Sequence, residues 1–323
     1  MKTYLVTGGA GFIGTNFIKY ILNNKDEIQL INLDNITYAG NINNLIGVDH
    51  NKYKLIKGDI CDIKLVEKLF KEYNFDSVVH FAAETHVDRS IDTPAEFIRS
   101  NIVGVFNLLE VFKEFTKKNK KAKLIHISTD EVYGDVLKGR SNETDPYKPS
   151  SPYAASKASS DHLVYSYVRT FKINAVITNC SNNYGPHQHQ EKLIPMTIKN
   201  IKEKKQIPIY GKGDSVRDWI FVLDHINAID IIFHNGQYGE TYNIGANNEL
   251  ENINLVEEIC KLIDKKTGTS NSKDLISFVT DRPGHDMRYA IDSNKIMSQL
   301  NWRPKYSMQK GLELTIDWYL QSL

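Results

Sequence analysis

The chain has 323 residues, 41% hydrophobic and 24% charged, with a net charge of +1. That balance is ordinary for a globular protein of one large α/β unit or two domains sharing a cleft, and it excludes a sign-driven partner such as nucleic acid or an anionic membrane. The opening TYLV is too short for a signal-peptide core, no later stretch is apolar enough to span a bilayer, and the three scattered cysteines (Cys61, Cys180, Cys260) form no metal or disulfide pattern, so a cytoplasmic setting and no metal are expected.

The predicted elements alternate along the chain. TYLVT reads as a strand, GFIGTNFIKYILNN as a helix, IQLINL and YKLIKG as strands, IKLVEKLFKEY as a helix and SVVHFA as a strand. PAEFIRSNIVGVFNLLEVFKEF reads as one long helix over 94–115, and the lysine-rich KKNKKAK after it as a solvated helix end and loop. KLIHIS is a strand, PYAASKASSDHLVYSYVRTF a helix and NAVITNC a strand. Short β-branched runs alternating with helical periodicity specify a Rossmann-type, doubly wound parallel sheet with helices on both faces. Beyond Ser181 the pattern loosens into EKLIPMTIKNIKEK, QIPIYGKG, RDWIFV, a helix from Asp224 and a C-terminal helix near 311–320. These predict a smaller mixed α/β domain packed on the carboxyl edge of the sheet. The expected division is a first domain over 1–180 and a second over 181–323, the two interleaved.

TGGAGFIG, with Gly8, Gly11 and Gly14, stands after the first strand and opens the first helix. Glycines there permit a tight turn and let backbone N–H groups approach a pyrophosphate. The spacing is G-x-x-G-x-x-G, a variant of the usual dinucleotide fingerprint. The second strand ends at Asp34, 20 residues after Gly14. A carboxylate there accepts from ribose hydroxyls and repels a 2′-phosphate, so NAD is expected over NADP. Asp59, at the end of the third strand, either meets the adenine edge or belongs to the cap of the next helix.

SPYAASKASSD places Tyr153 and Lys157 four residues apart, on one face of a helix. An ammonium beside a phenol stabilises phenolate, so Tyr153 is expected to have a lowered pKa and to act as general base. Ser128 and Thr129, ending the preceding strand, offer hydroxyls to a substrate alcohol. Directly after them stand two adjacent acids, Asp130 and Glu131, in STDEVYG. They are either a surface turn or part of an active site.

Together these motifs resemble the extended short-chain dehydrogenase/reductase family over nearly the whole chain. A longer series resembles the dTDP-glucose 4,6-dehydratase branch of that family: DNITYAGN, FAAETHVDRSI, ISTDEVYGD, NCSNNYGPHQ, EKLIP, RDWIFVLDH and DRPGHDMRYAID. The resemblance implies a catalytic set of Thr129, Asp130, Glu131, Tyr153 and Lys157. Tyr153 would take the proton of the sugar C4 hydroxyl, Thr129 would bond that oxygen, Glu131 would remove the C5 proton and Asp130 would protonate the departing C6 hydroxyl. Asp130 would then need a raised pKa, from burial or from Glu131 beside it. The NAD site would comprise Gly8, Gly11, Phe12, Ile13, Gly14, Asp34, Asn35, Thr37, Asp59, Ile60, Phe81, Ala82, Ala83, Thr85, Ser100 and Asn183, with Tyr153 and Lys157. Thr85, Thr129, Asn182, Lys192, Leu193, Arg217, Asn252 and His285 would hold dTDP-glucose, and Pro208 with Tyr210 would offer flat apolar surface to the base.

Arg217 gives a planar fork suited to pyrophosphate oxygens; the alternative is an ion pair with Asp214 or Asp218. The sequence departs from the family in HQHQ at 187–190, where an aromatic residue is usual. A second apolar stripe in VFNLLEVF and in HLVYSYV is either buried within one subunit or matches helices that pair across a two-fold axis in the family, the resemblance implying a homodimer. A 4-epimerase of the same fold would leave Asp130 and Glu131 idle. A decarboxylase would need a pocket cation for the sugar carboxylate. A dehydratase acting on a GDP- or UDP-sugar shares the chemistry. A non-catalytic NAD sensor would have no use for the five catalytic residues.

Overall fold

Short aliphatic and β-branched runs form twelve strands in the computed structural model, which describes residues 1–322. In chain order these are β1 (Lys2–Thr7), β2 (Ile28–Asp34), β3 (Tyr53–Lys57), β4 (Ser77–His80), β5 (Lys123–Thr129), β6 (Ala175–Cys180), β7 (Asn182–Tyr184), β8 (Ile207–Tyr210), β9 (Val216–Phe221), β10 (Thr241–Ile244), β11 (Glu249–Glu251) and β12 (Ile276–Val279). Seven of them build an all-parallel sheet in the order β10-β6-β5-β4-β1-β2-β3. The order reverses between β1 and β4, so a crevice opens there at the carboxyl ends of the strands.

Side chains alternate across the sheet. Tyr4 and Val6 pack with Phe17, Ile18 and Ile21 of helix Phe12–Asn24 and with Ile226, Ile229 and Ile232 of helix Val222–Asn235. Leu5 points the other way, toward Val66 and Leu69 of helix Ile63–Glu72, Leu108 and Phe112 of helix Gly104–Thr116, and Val164 of helix Pro152–Phe171. A third core joins helices Leu193–Glu203, Asn252–Thr267 and Met308–Ser322 to the β11-β9-β7 sheet and the parallel β12-β8 pair. No helix of the described residues is long and apolar enough to cross a membrane.

Two features depart from a simple linear reading. The chain leaves the large sheet after β6, builds part of the second lobe, then returns with helix Val222–Asn235 and β10. A cut at residue 180 therefore divides the sequence but not the structure. The long helix expected over 94–115 is helical throughout but not uniform: Pro94–Phe97 is α, Ile98–Val103 is a π turn and Gly104–Thr116 is α. The wide turn lets Asn101 face inward, 1% exposed, where it accepts from Glu84 N at 2.8 Å and donates to Glu84 O at 3.0 Å. Asn101 also donates to Ser156 Oγ at 2.9 Å, tying a cleft loop to the helix of Tyr153. Such π turns are frequent at functional sites.

Candidate active site

The cleft at the switch point begins with the glycine turn. Gly8 has φ +71°, and a Cβ there would lie 2.5 Å from Ala82 N; one at Gly14 would lie 2.3 Å from Gly8 O. Only glycine lets β1, the loop after β4 and the first helix approach this closely. Gly11 caps helix Phe12–Asn24 without a side-chain bond, leaving that helix's first N–H groups free for an anion. Asp34, 7% exposed, accepts from Ala10 N at 2.8 Å and Ile36 N at 2.7 Å, pinning the turn while keeping lone pairs for a further donor. Burial raises its pKa, and those two bonds hold it down. Ile36 sits at φ 53°, an uncommon conformation for a β-branched residue, within the loop that lines the cleft's outer edge.

Asn35, Thr37, Asp59, Ile60, Phe81, Ala82, Ala83, Thr85, Ser100 and Asn183 all line the same cleft, together with Phe12 and Ile13. Asp59 accepts from Cys61 N at 2.8 Å and pairs with Arg99 at 2.9 Å, while the cap of helix Ile63–Glu72 is Asp62. A donor-rich glycine turn, a buried carboxylate 24 residues beyond Ala10 and an apolar wall at Phe81–Ala83 fit a dinucleotide.

At the far end of the cleft β5 stops at Thr129 and turns sharply through the 3₁₀ segment Asp130–Tyr133. Thr129 Oγ1 accepts from Glu131 N and donates to Asp130 Oδ1, both at 3.3 Å. The turn exits through Gly134 at φ +72°, where a Cβ would lie 2.1 Å from Lys148 O. The two acids sit in different fields. Asp130 is 3% exposed, and its Oδ2 has no hydrogen-bond partner. Burial first, then Glu131 and Asp218, push its pKa well up. Glu131 is half-buried and is raised mainly by burial, but Arg282, Arg217 and Lys192 pull it back toward the ionised form. Both pKa values are raised, that of Asp130 the more strongly, and three cations oppose the rise at Glu131, an arrangement suited to dividing acid and base work.

Tyr153 and Lys157 stand beside this turn on helix Pro152–Phe171, 7% and 4% exposed. The lowered tyrosine pKa expected from the sequence is not found. Burial and the nearby Glu131, Cys180 and Asp130 push Tyr153 well up, and the hydrogen bond of Thr129 opposes them. Burial is the first cause, and Lys157 Nζ donates to Ile127 O at 2.7 Å instead of to the phenol. The sequence spacing showed the shared face but not that backbone acceptor.

The second lobe supplies the other wall. Asn182 and Lys192 line the cleft, and Lys192 Nζ donates to Thr85 O at 3.2 Å. Leu193 opens helix Leu193–Glu203, whose N-terminus has no side-chain cap. Leu193, Pro208, Tyr210, Arg217, Asn252 and His285 are outside the main cleft lining. Pro208 and Tyr210 share the outward face of β8, and Tyr210 Oη donates to Asp88 Oδ2 at 3.0 Å. His285 lies 2.7 Å from Asp281, its ring centroid 6.3 Å from that of Tyr210. Asn252 opens helix Asn252–Thr267 with its Oδ1 buried and unpartnered. Arg217 pairs with neither Asp214 nor Asp218. Its guanidinium lies 4.2 Å from the Tyr289 ring and donates to Val216 O and Asp286 O.

The HQHQ segment divides. His187, at φ 70°, lies 3.1 Å from Lys19 Nζ and 4.7 Å from the Trp318 ring, and burial pushes its pKa down to about 4. Gln188 and His189 line the cleft, with His189 edge-on to Tyr38 at 5.5 Å. Among the described residues no group of three His, Cys, Asp or Glu could hold a metal. The sequence reading missed Arg282, which is the first cation acting on Glu131 and pairs with Asp88 at 3.3 Å. It lies inside DRPGHD, where the arginine ahead of a Pro-Gly turn was the available signal.

Comparison with known proteins agrees with this geometry. The family model described as GDP-mannose 4,6 dehydratase matches residues 5–315. A dTDP-glucose 4,6-dehydratase of Neisseria meningitidis is 48% identical over 336 residues, covering 100% of this chain and 94% of that one. The crystal structure of a dTDP-glucose 4,6-dehydratase from Bacillus anthracis in complex with NAD superposes with a TM-score of 0.89 at 44% identity, covering 99% of this chain and 97% of that one. One from Streptomyces venezuelae with NAD and TYD bound gives 0.91 at 39% identity, with the same coverage. The chain belongs to the GDP-mannose 4,6 dehydratase family, among the extended short-chain dehydrogenases/reductases.

Proposed function

We propose that the protein is a dTDP-glucose 4,6-dehydratase, converting dTDP-glucose to dTDP-4-keto-6-deoxyglucose and water. The observation that carries this reading is the Asp130–Glu131 pair: two adjacent acids in unlike fields, on the turn that ends β5 and beside Tyr153. NAD, held by the glycine turn, Asp34 and Lys157, supplies a hydride acceptor for C4 and returns the hydride to C6, so no external reductant is consumed. Tyr153 takes the proton of the C4 hydroxyl, and Thr129 hydrogen-bonds the same oxygen. Lys157 keeps positive charge near Tyr153 and so favours the phenolate that accepts this proton. Once C4 is a ketone the C5 proton is acidic. Glu131 removes it while Asp130 gives its proton to the departing C6 hydroxyl, and water leaves. Glu131 then returns a proton to C5. Lys192, Arg217, Asn182, Asn252 and His285 hold the diphosphate and sugar, with Pro208 and Tyr210 against the base.

The names and bound ligands of the relatives support dTDP and NAD over other nucleotides. Three free cysteines support a reducing cytoplasmic location. Exposed Ile98, Val103 and Phe106 on one helical run and Tyr165 on the adjoining helix support a homodimer.

The test is mass spectrometry of the sugar nucleotide after incubation with dTDP-glucose in deuterated water, without reductant. Loss of one water with one deuterium gained at C5 is expected. An unchanged elemental composition overturns the reading, and a new sugar NMR spectrum at that composition would mark an epimerase.

A further inference from the structure

Behind the reacting groups lies a buried polar chain that the proposed chemistry does not use. Asp161 stands one helical turn beyond Lys157 and is 2% exposed. Ser128 Oγ donates to its Oδ2 at 2.7 Å. Lys157 Nζ donates to the carbonyl of the preceding strand residue, Ile127, also at 2.7 Å. Consecutive residues of β5 thus hold the lysine and the acid, and the next residue along is Thr129.

Of the remaining neighbours of Asp161, only His162, exposed on the same helix, adds positive charge. His126 of β5, fully buried, has Nε2 3.2 Å from Asp161 Oδ1, while its Nδ1 has no partner. A protonated imidazole would bury a bare N–H, so His126 is neutral. His80 of β4 stacks on it at 5.3 Å and is bonded to Thr7 Oγ1 at 2.6 Å, again with one bare nitrogen. Tyr147 and Tyr133 face the carboxylate from the loop and turn after β5, His162 adjoins it on the helix, and Cys180 of β6 faces Lys157. A buried carboxylate calls for a counter-charge; Lys157, one helical turn away and outside ion-pair distance, is the one buried cation among these neighbours, and Asp161 Oδ1 has no hydrogen-bond donor.

We propose that Asp161 is a positioning residue for the catalytic pair: it is the buried counter-charge that keeps Lys157 an ammonium beside Tyr153, and Ser128 fixes it in that role. Burial lowers the Lys157 pKa and Asp161 is the first group that opposes it, while burial raises Asp161 to about 6 and Lys157 is the first group that opposes that.

The proposal rests on the dehydratase reading for its kinetic test, so a second measurement is independent of substrate. With Asp161→Asn, the alkaline limb of the kcat/KM profile moves to lower pH by roughly one unit or more. With Ser128→Ala, Asp161 loses a donor to its charged form and the acidic limb moves to higher pH. Profiles that only scale down, with both limbs in place, mean a purely structural role and overturn the proposal. In substrate-free protein, NMR of isotope-labelled lysine, with the Lys157 signal assigned by its absence in Lys157→Arg, should show Lys157 titrating at lower pH in Asp161→Asn. An unchanged titration overturns it. If Asp161→Asn does not fold, Ser128→Ala decides both measurements. Wild-type inactivity on dTDP-glucose would count against the dehydratase reading and leave the lysine titration to decide this one.

Discussion

Asp130 and Glu131 are neighbours in sequence, and their difference comes from what faces each. Asp130 points into a pocket where one oxygen finds no donor, and Glu131 points toward Arg282, Arg217 and Lys192. A positioned acid or base contributes about 10²–10⁴ in rate. Glu131→Gln should therefore lower kcat by about that factor and abolish deuterium entry at C5, with little change in nucleotide affinity, because the amide keeps shape but cannot accept the proton. Normal deuterium entry would remove Glu131 from the base role. A second residue-scale case is His225, fully buried, with Nδ1 2.8 Å from Asn183 Oδ1 and Nε2 unpartnered. Burial pushes its pKa down to about 3. The folded chain thus refuses a proton that the unfolded chain accepts below about 6.5. The stability His225 lends is complete above that pH and drains away as pH falls toward its folded value. In denaturant unfolding, the gap between wild type and His225→Gln should narrow steadily from pH 7 to pH 4. A gap independent of pH would mean that His225 is not held neutral.

At the scale of elements, what could be read from the sequence was local and what could not was long-range. Gly8, Gly11 and Gly14 mark a strand-to-helix turn because the backbone conformation there admits little else, and the cleft forms around them. Tyr153 and Lys157 share a helix face by spacing alone, and PYAASKASSDHLVYSYVRTF is helical from end to end. The π turn at Ile98–Val103 left no periodic trace, because it answers to Asn101 reaching Glu84 and Ser156, residues 17 and 55 positions away. Tyr153's raised pKa escaped for the same reason, since it depends on burial in the folded cleft and on Glu131 and Cys180. The turn itself is testable. Asn101→Ala strands the Glu84 backbone groups, and an unmet buried partner costs about 1–3 kcal/mol. Because Glu84, Thr85 and Ser100 line the cleft, NAD affinity should fall with stability while kcat at saturating NAD changes little. Unfolding and NAD titration by calorimetry check both. Unchanged affinity would detach the π turn from the site.

The whole molecule is two lobes between which the chain passes repeatedly, and the crossings hold the site together. Helix Val222–Asn235 and β10 return to the large sheet, while Arg288 of the second lobe donates to Val136 O at 2.6 Å and Gly139 O at 2.9 Å, strapping the loop after the catalytic turn. The face left over is the outer side of the helices behind that sheet. Ile98, Val103 and Phe106 are 47%, 43% and 43% exposed, and Tyr165 on the adjoining helix is 53% exposed. A two-fold axis would bury each of these twice, so one substitution counts on both sides of the interface. Burying a large apolar side chain contributes about 1.5–3 kcal/mol, and a carboxylate repeated across the axis adds like-charge repulsion and desolvation. Light scattering should find the wild type at twice the 36.9 kDa chain mass and Phe106→Glu or Tyr165→Glu at the mass of one chain. A monomeric wild type, or variants that remain dimers, would assign this face to something other than a second copy. Because the Tyr153 helix carries Tyr165 on its outer face, separation should also loosen the catalytic pair, and the monomeric variants should lose kcat before they lose nucleotide binding.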